Sequence, residues 1–569
     1  MFPADPLHRR AQLLVLLLFA CVRLGHLAQL VDSPALAQQQ WPDSDMFAFD
    51  QWAQHIAHGD LLSRQPQRPL TGWQRDVAAQ WRQLRPDDPL ARQPSDAAAQ
   101  ALWQNWQGGA RFYQEPLFPY LLAGWYALVG PSPLLAFALQ ALLGLLGLWL
   151  LMDATRRLIG VRVAILSGLL ATLCGPLAYY ESLLLRETLA VTTVWLLVRQ
   201  WAVARAAVQW RAYAGLGLAA GLAVLTRAAI APFVLALALA SLWPRPTRLA
   251  RLAGWLAGLA VPLGLLALRN GLVGVPPLAL AGGGVFAFAA ANAPGADPWQ
   301  GLVLDAPVIA RLLVQSGGAP LALAWATLQA QPHLLALEFT KLAALLHNFE
   351  IPNNASFAFY RQHAPILWLL LIDFAVVLPL GLVGAVQAVR QRRARSLVVL
   401  AAVQILPLLL LQPLSRYRLG LLAALLPLAA LGIDGLHQLW LERRALALAW
   451  LVPVALLTAV LFRPLPDAVA PTRAVDHAVA WQFWALPQLR RAAEQQDHAG
   501  VAAAMACYLR GEPSDLADWP RAVRTDQVRI AERYSEAHAI AAQALELQGL
   551  AAEAAQHRAA SARLHAKMP

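Results

Sequence analysis

The stretch DSDMFAFDQWAQHIAHGD, residues 43–60, sets Asp43, Asp45 and Asp50 close together just after an apolar run. Carboxylates are costly beside a bilayer, so acids in that position call for a chemical reason. A positioned carboxylate can accept the proton of an attacking group, for roughly 10²–10⁴-fold in rate. Asp45 is the first candidate for that role and Asp43 the second; Asp50, five residues after Asp45, leaves the same helix face and reads as a cap or a solvated side chain. A second group could meet the charge of an anion. Arg186, Arg227, Arg269, Arg416 and Arg418 stand at the ends of apolar runs that lack the other arginines, with Tyr417 between two of them. Singly, each reads equally well as a side chain snorkelling to lipid phosphate. Together they form an anion site, because guanidinium keeps its charge and offers paired planar donors.

The elements that must hold these groups follow from composition. The chain has 569 residues, 58% hydrophobic and 14% charged, where soluble proteins carry about 25% charged residues. Apolar runs near the length of a membrane span occur at about 12–30, 131–152, 161–178, 183–199, 213–226, 228–243, 252–269, 366–389, 396–412, 418–438 and 445–462. The arginine-rich loops between them, at 153–162, 199–211, 245–251, 390–395 and 442–444, alternate without conflict when placed in the cytoplasm. The net charge of +12 is thereby explained by topology, with no nucleic acid partner required. The fold class expected is an all-α polytopic membrane protein of about 11 spans. Loops 31–130 and 270–365 then face outward, as does the tail from 463. The short runs 213–226 and 228–243 also suit a hairpin that crosses only partly. LLFAC at 17–21 resembles a lipoprotein box, but the apolar run continues past Cys21, as in an uncleaved first helix.

Within the first outward loop, Trp41, Trp52, Trp73, Trp81, Trp103 and Trp106 suit amphipathic helices on the membrane surface, with a sugar- or lipid-binding surface as the alternative. The run 112–133 is too short to span and reads as half-inserted. Glu181 and Glu187 flank Arg186 and could orient it or an acceptor. In the second loop, Asn292, Asn348, Asn353 and Asn354 could meet hydroxyls, although Asn is common in turns. His333, His347 and His363 show no ligand spacing, and Cys21, Cys174 and Cys507 no metal or disulfide pattern, so neither metal nor cofactor is expected. The tail, 463–569, is Ala-, Gln- and Glu-rich. Residues 537–561 read as two helices around Gly549, a tetratricopeptide-like hairpin in a small helical domain that could hold a protein partner.

The fragments DSDMFAFDQWAQHIAHGD, YQEPLFPYLLAGWYALVG, YYESLLLRETL, GLAVLTRAAIAPFVL, GGGVFAFAAANAP, HNFEIPNNASFAFYRQHAPIL and LSRYRLGLLAALLPLAALGI run in order from 43 to 433. In this order the chain resembles the bacterial dolichyl-phosphate-mannose–protein mannosyltransferase-like glycosyltransferases, family 39-like, of GT-C fold. The resemblance implies a GT-C-type transmembrane domain over 1–462, in a bacterial inner membrane with its site facing the periplasm. It implies transfer of a sugar from a polyprenyl-phosphate donor to a protein, lipid or glycan acceptor. The family's catalytic carboxylate then maps onto Asp45 or Asp43. Arg416, Tyr417 and Arg418 lead the candidates for the donor phosphate, followed by Arg186, Arg227 and Arg269. Glu115, Tyr120, Glu181, Asn292, Glu350 and Asn353 are candidates for the acceptor or sugar. Two features depart from the family pattern: Glu115 stands where a small residue or proline is usual, and Asn292 lacks its preceding glycine. In such chemistry a carboxylate deprotonates the attacking hydroxyl and faces the oxocarbenium-like charge, while fixed cations receive the leaving phosphate. A transporter or flippase of lipid-linked sugars is the alternative class, but no paired internal repeat is evident.

Overall fold

The computed structural model describes residues 6–31, 33–64, 70–207, 209–242, 248–299, 305–353, 357–392, 394–464, 481–513, 516 and 525–568. Asn354 lies outside them. Among the described residues the secondary structure is helical, with one isolated backbone bridge between Cys174 and Ile372.

Helix α1 (Pro6–Leu30) leads to α2 (Asp45–Ala57), α3 (Gly72–Leu84), α4 (Ser95–Gln107) and α5 (Leu117–Val129). Then come α6 (Pro133–Leu158), α7 (Val161–Thr172), α8 (Gly175–Tyr180), α9 (Glu187–Ala206), α10 (Trp210–Thr226), α11 (Ala231–Leu242) and α12 (Arg248–Leu272). Four short helices follow: α13 (Gly284–Asn292), α14 (Ala306–Ser316), α15 (Pro320–Ala330) and α16 (Leu334–Leu345). After α17 (Phe357–His363) and α18 (Ile366–Leu369), the bundle closes with α19 (Phe374–Arg390), α20 (Arg395–Leu410), α21 (Ser415–Glu442) and α22 (Arg444–Leu461). Among the described residues the apolar runs of the sequence are mostly helical. Five helices are long and apolar enough to cross a bilayer unaided: α1 from His8, α6, α12, α21 and α22. The chain is a multi-pass membrane protein.

Two runs read as continuous are broken. The run 161–178 stops at Thr172 and resumes at Gly175; the run 366–389 stops at Leu369 and resumes at Phe374. The two breaks face each other. Ile372 donates its N–H to the Leu173 carbonyl (3.2 Å) and accepts from the Gly175 N–H (3.0 Å), so each gap meets the backbone demand of the other. Asp373 then caps α19 by accepting from the Val376 N–H.

Close helix contact rests on glycine. A methyl group on Gly384 of α19 would overlap the Leu428 carbonyl of α21, and one on Gly432 of α21 would overlap the Leu380 carbonyl. Backbones at that distance need small residues. α21 is the buried centre of the bundle, with Leu421 through Leu431 all covered.

The helix ends sort by charge. At one end Asp153 accepts from Arg156, Arg157 and Arg199, and Arg162 pairs with Asp434. The other end carries loops 31–130 and 270–365. In loop 31–130, Trp52, Trp81, Trp103 and Trp106 are buried and Trp41 and Trp73 half-buried against protein, which corrects the membrane-surface reading. Trp103 and Trp106 meet edge to face at 5.0 Å, Trp73 meets Trp103 at 5.0 Å, and Trp81 meets Trp106 at 6.2 Å. With Phe286, Ile309 and Leu313 they form a second core, in which Trp103 donates to the Gln74 carbonyl. An amphipathic helix buries its apolar face against an available apolar surface, and here α3 packs against α14 and α4. Trp52 is likewise buried, donating to Ser63. In the tail, helices Thr525–Leu547 and Ala551–His565 turn back at Gly549, whose φ of +80° suits glycine. Tyr508, Tyr534 and Trp481 join this tail to the main core.

Candidate active site

Asp45 opens α2. Ser44 caps the helix by accepting from the Phe47 N–H at 3.0 Å, and a first-turn carboxylate is favoured by the helix dipole. Met46, Phe49, Ala53 and Ile56 recur at helical spacing on the buried face, with Phe49 edge-on to Phe118 of α5. This packing holds Asp45 at the rim of the bundle, 7% exposed. There Arg416 Nη1 donates to its Oδ2 at 2.6 Å and Gln114 Nε2 to its Oδ1 at 3.0 Å.

Arg416 and Arg418 occupy the first turn of α21, where the helix dipole opposes cations. Acidic partners and carbonyls offset that cost. Ser415 Oγ donates to the Ile351 carbonyl at 2.6 Å and Arg418 donates to the carbonyls of His347 and Phe349, at 2.7 and 2.6 Å. Arg418 also pairs with Glu350 at 3.3 Å. The 347–351 segment thus acts as a brace that aims Arg416 at Asp45.

Arg227, between α10 and α11, comes to the same place. Its guanidinium lies 4.8 Å from the Tyr417 ring centroid, and that of Arg416 lies 5.0 Å from it. Arg227 pairs with Glu187 at 3.4 Å. Arg186, the residue before α9, pairs with Glu115, which also accepts from the Ala228 N–H at 2.7 Å. Burial alone would raise the Glu115 carboxyl. Arg186 first, then the Ala228 N–H, with a smaller part from Arg227, hold it below the ordinary 4.5 instead. Three arginines from three separate hairpins therefore converge near Tyr417, each tied to one carboxylate. Such preorganised guanidinium groups can receive a phosphate without reorganising around it.

The other candidates are placed elsewhere. Asp43 is exposed and accepts from the Gly72 N–H at 3.3 Å. Asp50 is neither a cap nor solvated. It is 4% exposed and accepts from Tyr126 Oη and Gln54 Nε2, both at 2.7 Å, because α5 lies directly over this face of α2. Burial raises its carboxyl above the ordinary 3.8, against the pull of those bonds. Arg269 donates to the carbonyls of Leu62, Ser63 and Ala110 and clamps the loops over Phe112. Tyr120 donates to the Leu61 carbonyl at 2.7 Å. Glu181 lies deeper, paired with Arg23 at 2.6 Å, and lines a small internal pocket with Glu187, Thr188 and Thr192. Asn292 donates to the Phe288 and Leu410 carbonyls and accepts from the buried Lys341 at 2.6 Å. The Asn353 Oδ1 is buried and makes no hydrogen bond among the described residues.

Sequence reasoning passed over Gln114 and Arg23. The signal for Arg23 was available, as a cation inside an apolar run needs a partner. Gln114 carries no such signal, since only its proximity to Asp45 sets it apart.

Residues 114–268 match the family model described as dolichyl-phosphate-mannose-protein mannosyltransferase. Over those residues the resemblance to the mannosyltransferase family is borne out. The match begins at Gln114, takes in Glu115, Arg186 and Arg227, and ends one residue short of Arg269. Asp45 and Arg416 lie outside it. No curated protein matches the chain. Among solved structures, the chain is similar to the Archaeoglobus fulgidus oligosaccharyltransferase tethered with an acceptor peptide containing the NVT sequon. The identity is 15% and the TM-score 0.43, over 94% of this chain and 59% of that one. The archaeal oligosaccharyltransferase AglB of the same organism, in complex with an inhibitory peptide and a dolichol-phosphate, gives 17% and 0.40, over 93% and 59%. ArnT from Cupriavidus metallidurans bound to undecaprenyl phosphate gives 16% and 0.32, over 86% and 80%. The chain thus spans about 59% of the length of the archaeal proteins.

Proposed function

We propose that this protein moves a sugar from a polyprenyl-phosphate donor to a protein, lipid or glycan acceptor at the membrane face that carries loops 31–130 and 270–365. That face is the periplasmic one if the arginine-rich loops lie in the cytoplasm. One observation carries the reading: the carboxylate of Asp45 at a helix N-terminus meets Arg416, and Arg416 shares the Tyr417 ring with Arg227, while Arg186 and Arg227 are held by Glu115 and Glu187. Asp45 accepts the proton of the attacking hydroxyl and faces the positive charge that grows at the anomeric carbon. The arginines take the negative charge of the departing lipid phosphate. Of the two acids first considered, the contact with Arg416 favours Asp45 over Asp43. Arg418, turned to main-chain carbonyls, serves as a brace for Arg416, and Glu115 positions Arg186. The reaction belongs to residues 1–462, and the tail, 463–569, is a separate helical domain for a protein partner.

The test uses membranes carrying the wild-type chain, Asp45→Asn or Asp43→Asn. They are supplied with a panel of undecaprenyl-phosphate-linked hexoses and pentoses labelled in the sugar, together with native envelope acceptors. Loss of label transfer in Asp45→Asn, with Asp43→Asn active, is the expected result. Transfer that survives in Asp45→Asn removes the assignment. Label that crosses the membrane and stays on its lipid shows a transporter instead.

A further inference from the structure

A carboxylate oxygen that accepts from a guanidinium has less to offer an incoming proton, and both oxygens of Asp45 accept hydrogen bonds. Arg416 Nη1 holds Oδ2 at 2.6 Å and Gln114 Nε2 holds Oδ1 at 3.0 Å. Arg416 in turn is incompletely satisfied. It has Asp45 and the Tyr417 hydroxyl (3.3 Å) as partners, while its buried Nε makes no hydrogen bond among the described residues. A planar guanidinium presents its donors as a fork, and a single carboxylate oxygen fills only one tine. A phosphate, with more acceptor oxygens and more charge, fills the fork better. The two partners of Asp45 also differ in kind. Gln114 is neutral and gains little from a phosphate, whereas Arg416 is the group a phosphate attracts.

We propose that Asp45 is a stand-in for phosphate on Arg416: the phosphate of a polyprenyl-phosphate ligand draws Arg416 away from Oδ2, and Gln114 keeps the released carboxylate in position. The base is thus masked until the lipid phosphate is seated. Gln114 is a positioning residue in this scheme. Its neighbour Glu115 holds Arg186 and the Ala228 N–H, so one short loop ties both the base and the phosphate-facing arginine to the start of α5. The inference rests on the transfer reading above, and the experiment separates the two.

The experiment measures binding of undecaprenyl phosphate to the full-length protein in detergent, with undecaprenol as the phosphate-free probe. Removing the competing carboxylate should tighten binding. Asp45→Asn is expected to bind undecaprenyl phosphate about 10-fold more tightly, equivalent to about 1.4 kcal/mol, with no gain for undecaprenol. Asp45→Ser is the second variant, and thermal melting without ligand checks that each protein is folded. Arg416→Gln is expected to weaken undecaprenyl phosphate by a similar factor. If both Asp45 variants bind equally or more weakly while Arg416→Gln is weakened, the stand-in role is overturned and the phosphate site stands. If Arg416→Gln binds as the wild type does, both fall. Gln114→Met keeps the volume and drops the donor. It should slow label transfer about 10-fold with undecaprenyl phosphate affinity unchanged; wild-type transfer in that variant removes the positioning role.

Discussion

Glu115→Gln tests the ion-pair framework without touching Asp45. The change keeps shape and leaves an oxygen to accept from the Ala228 N–H, now at 2.7 Å, so what is lost is charge. Arg186 would then remain with its side chain 14% exposed opposite a neutral amide. Removing one partner of a buried pair costs about 3–5 kcal/mol. Residual exposure of 14% and 11% at the two partners puts the expected loss near the lower end, about 3 kcal/mol. Because the Glu115 carboxyl titrates below 4.5 when folded, its stabilisation is present above that pH and disappears as pH falls through the folded value. Equilibrium unfolding by SDS in mixed micelles, from pH 3.5 to 8, reads both effects. The variant should lose stability at pH 7 and show a flatter acid limb. Glu115→Gln with Arg186→Gln should recover much of the loss, since two neutral partners leave no stranded charge. A single variant within about 1 kcal/mol of wild type, or a double variant no better than the single, refutes the reasoning.

Other outcomes follow from individual contacts. Tyr126→Phe removes a hydrogen bond to the buried Asp50 carboxyl and should cost about 2 kcal/mol in the same unfolding assay. Trp103→Ala opens a cavity in the second core among Trp73, Trp106 and Phe286. It should cost about 3–5 kcal/mol and expose α3 and α4 to limited proteolysis. Gly384→Leu forces α19 off the Leu428 carbonyl, and folded yield in detergent should fall sharply while Gly124→Leu, with open space around it, stays near wild type.

Much of the architecture was legible in the sequence because the bilayer imposes it. An apolar run must satisfy its backbone internally, and helix is the local way to do so; hence the described residues of the apolar runs are mostly helical. The breaks at 173–174 and 370–373 were hidden for the same reason. Their backbone groups satisfy each other across about 200 residues of chain, a pairing that hydropathy cannot register. The tryptophans of loop 31–130 were misplaced because an amphipathic face reports only that it is covered, not by what. The turn at Gly549 was visible, since a glycine between two helical runs is a local signal.

For the candidate site, residue types were readable and partnerships were not. The sequence by itself determined that acids and arginines collect at the boundary of the helices, because charge in an apolar chain needs a purpose and is easily seen. Only the tertiary structure decided which acid meets which arginine. Asp45 and Arg416 are 371 residues apart, and Asp45 and Gln114 are 69 apart. Asp43, two residues from Asp45, faces Gly72 instead. α2 begins at Asp45, with Ser44 as its cap, so Asp45 is carried by the helix to Arg416 while Asp43 stays in the turn before it. That selection depends on how α2 packs beneath α5 and beside α21, which no local pattern encodes.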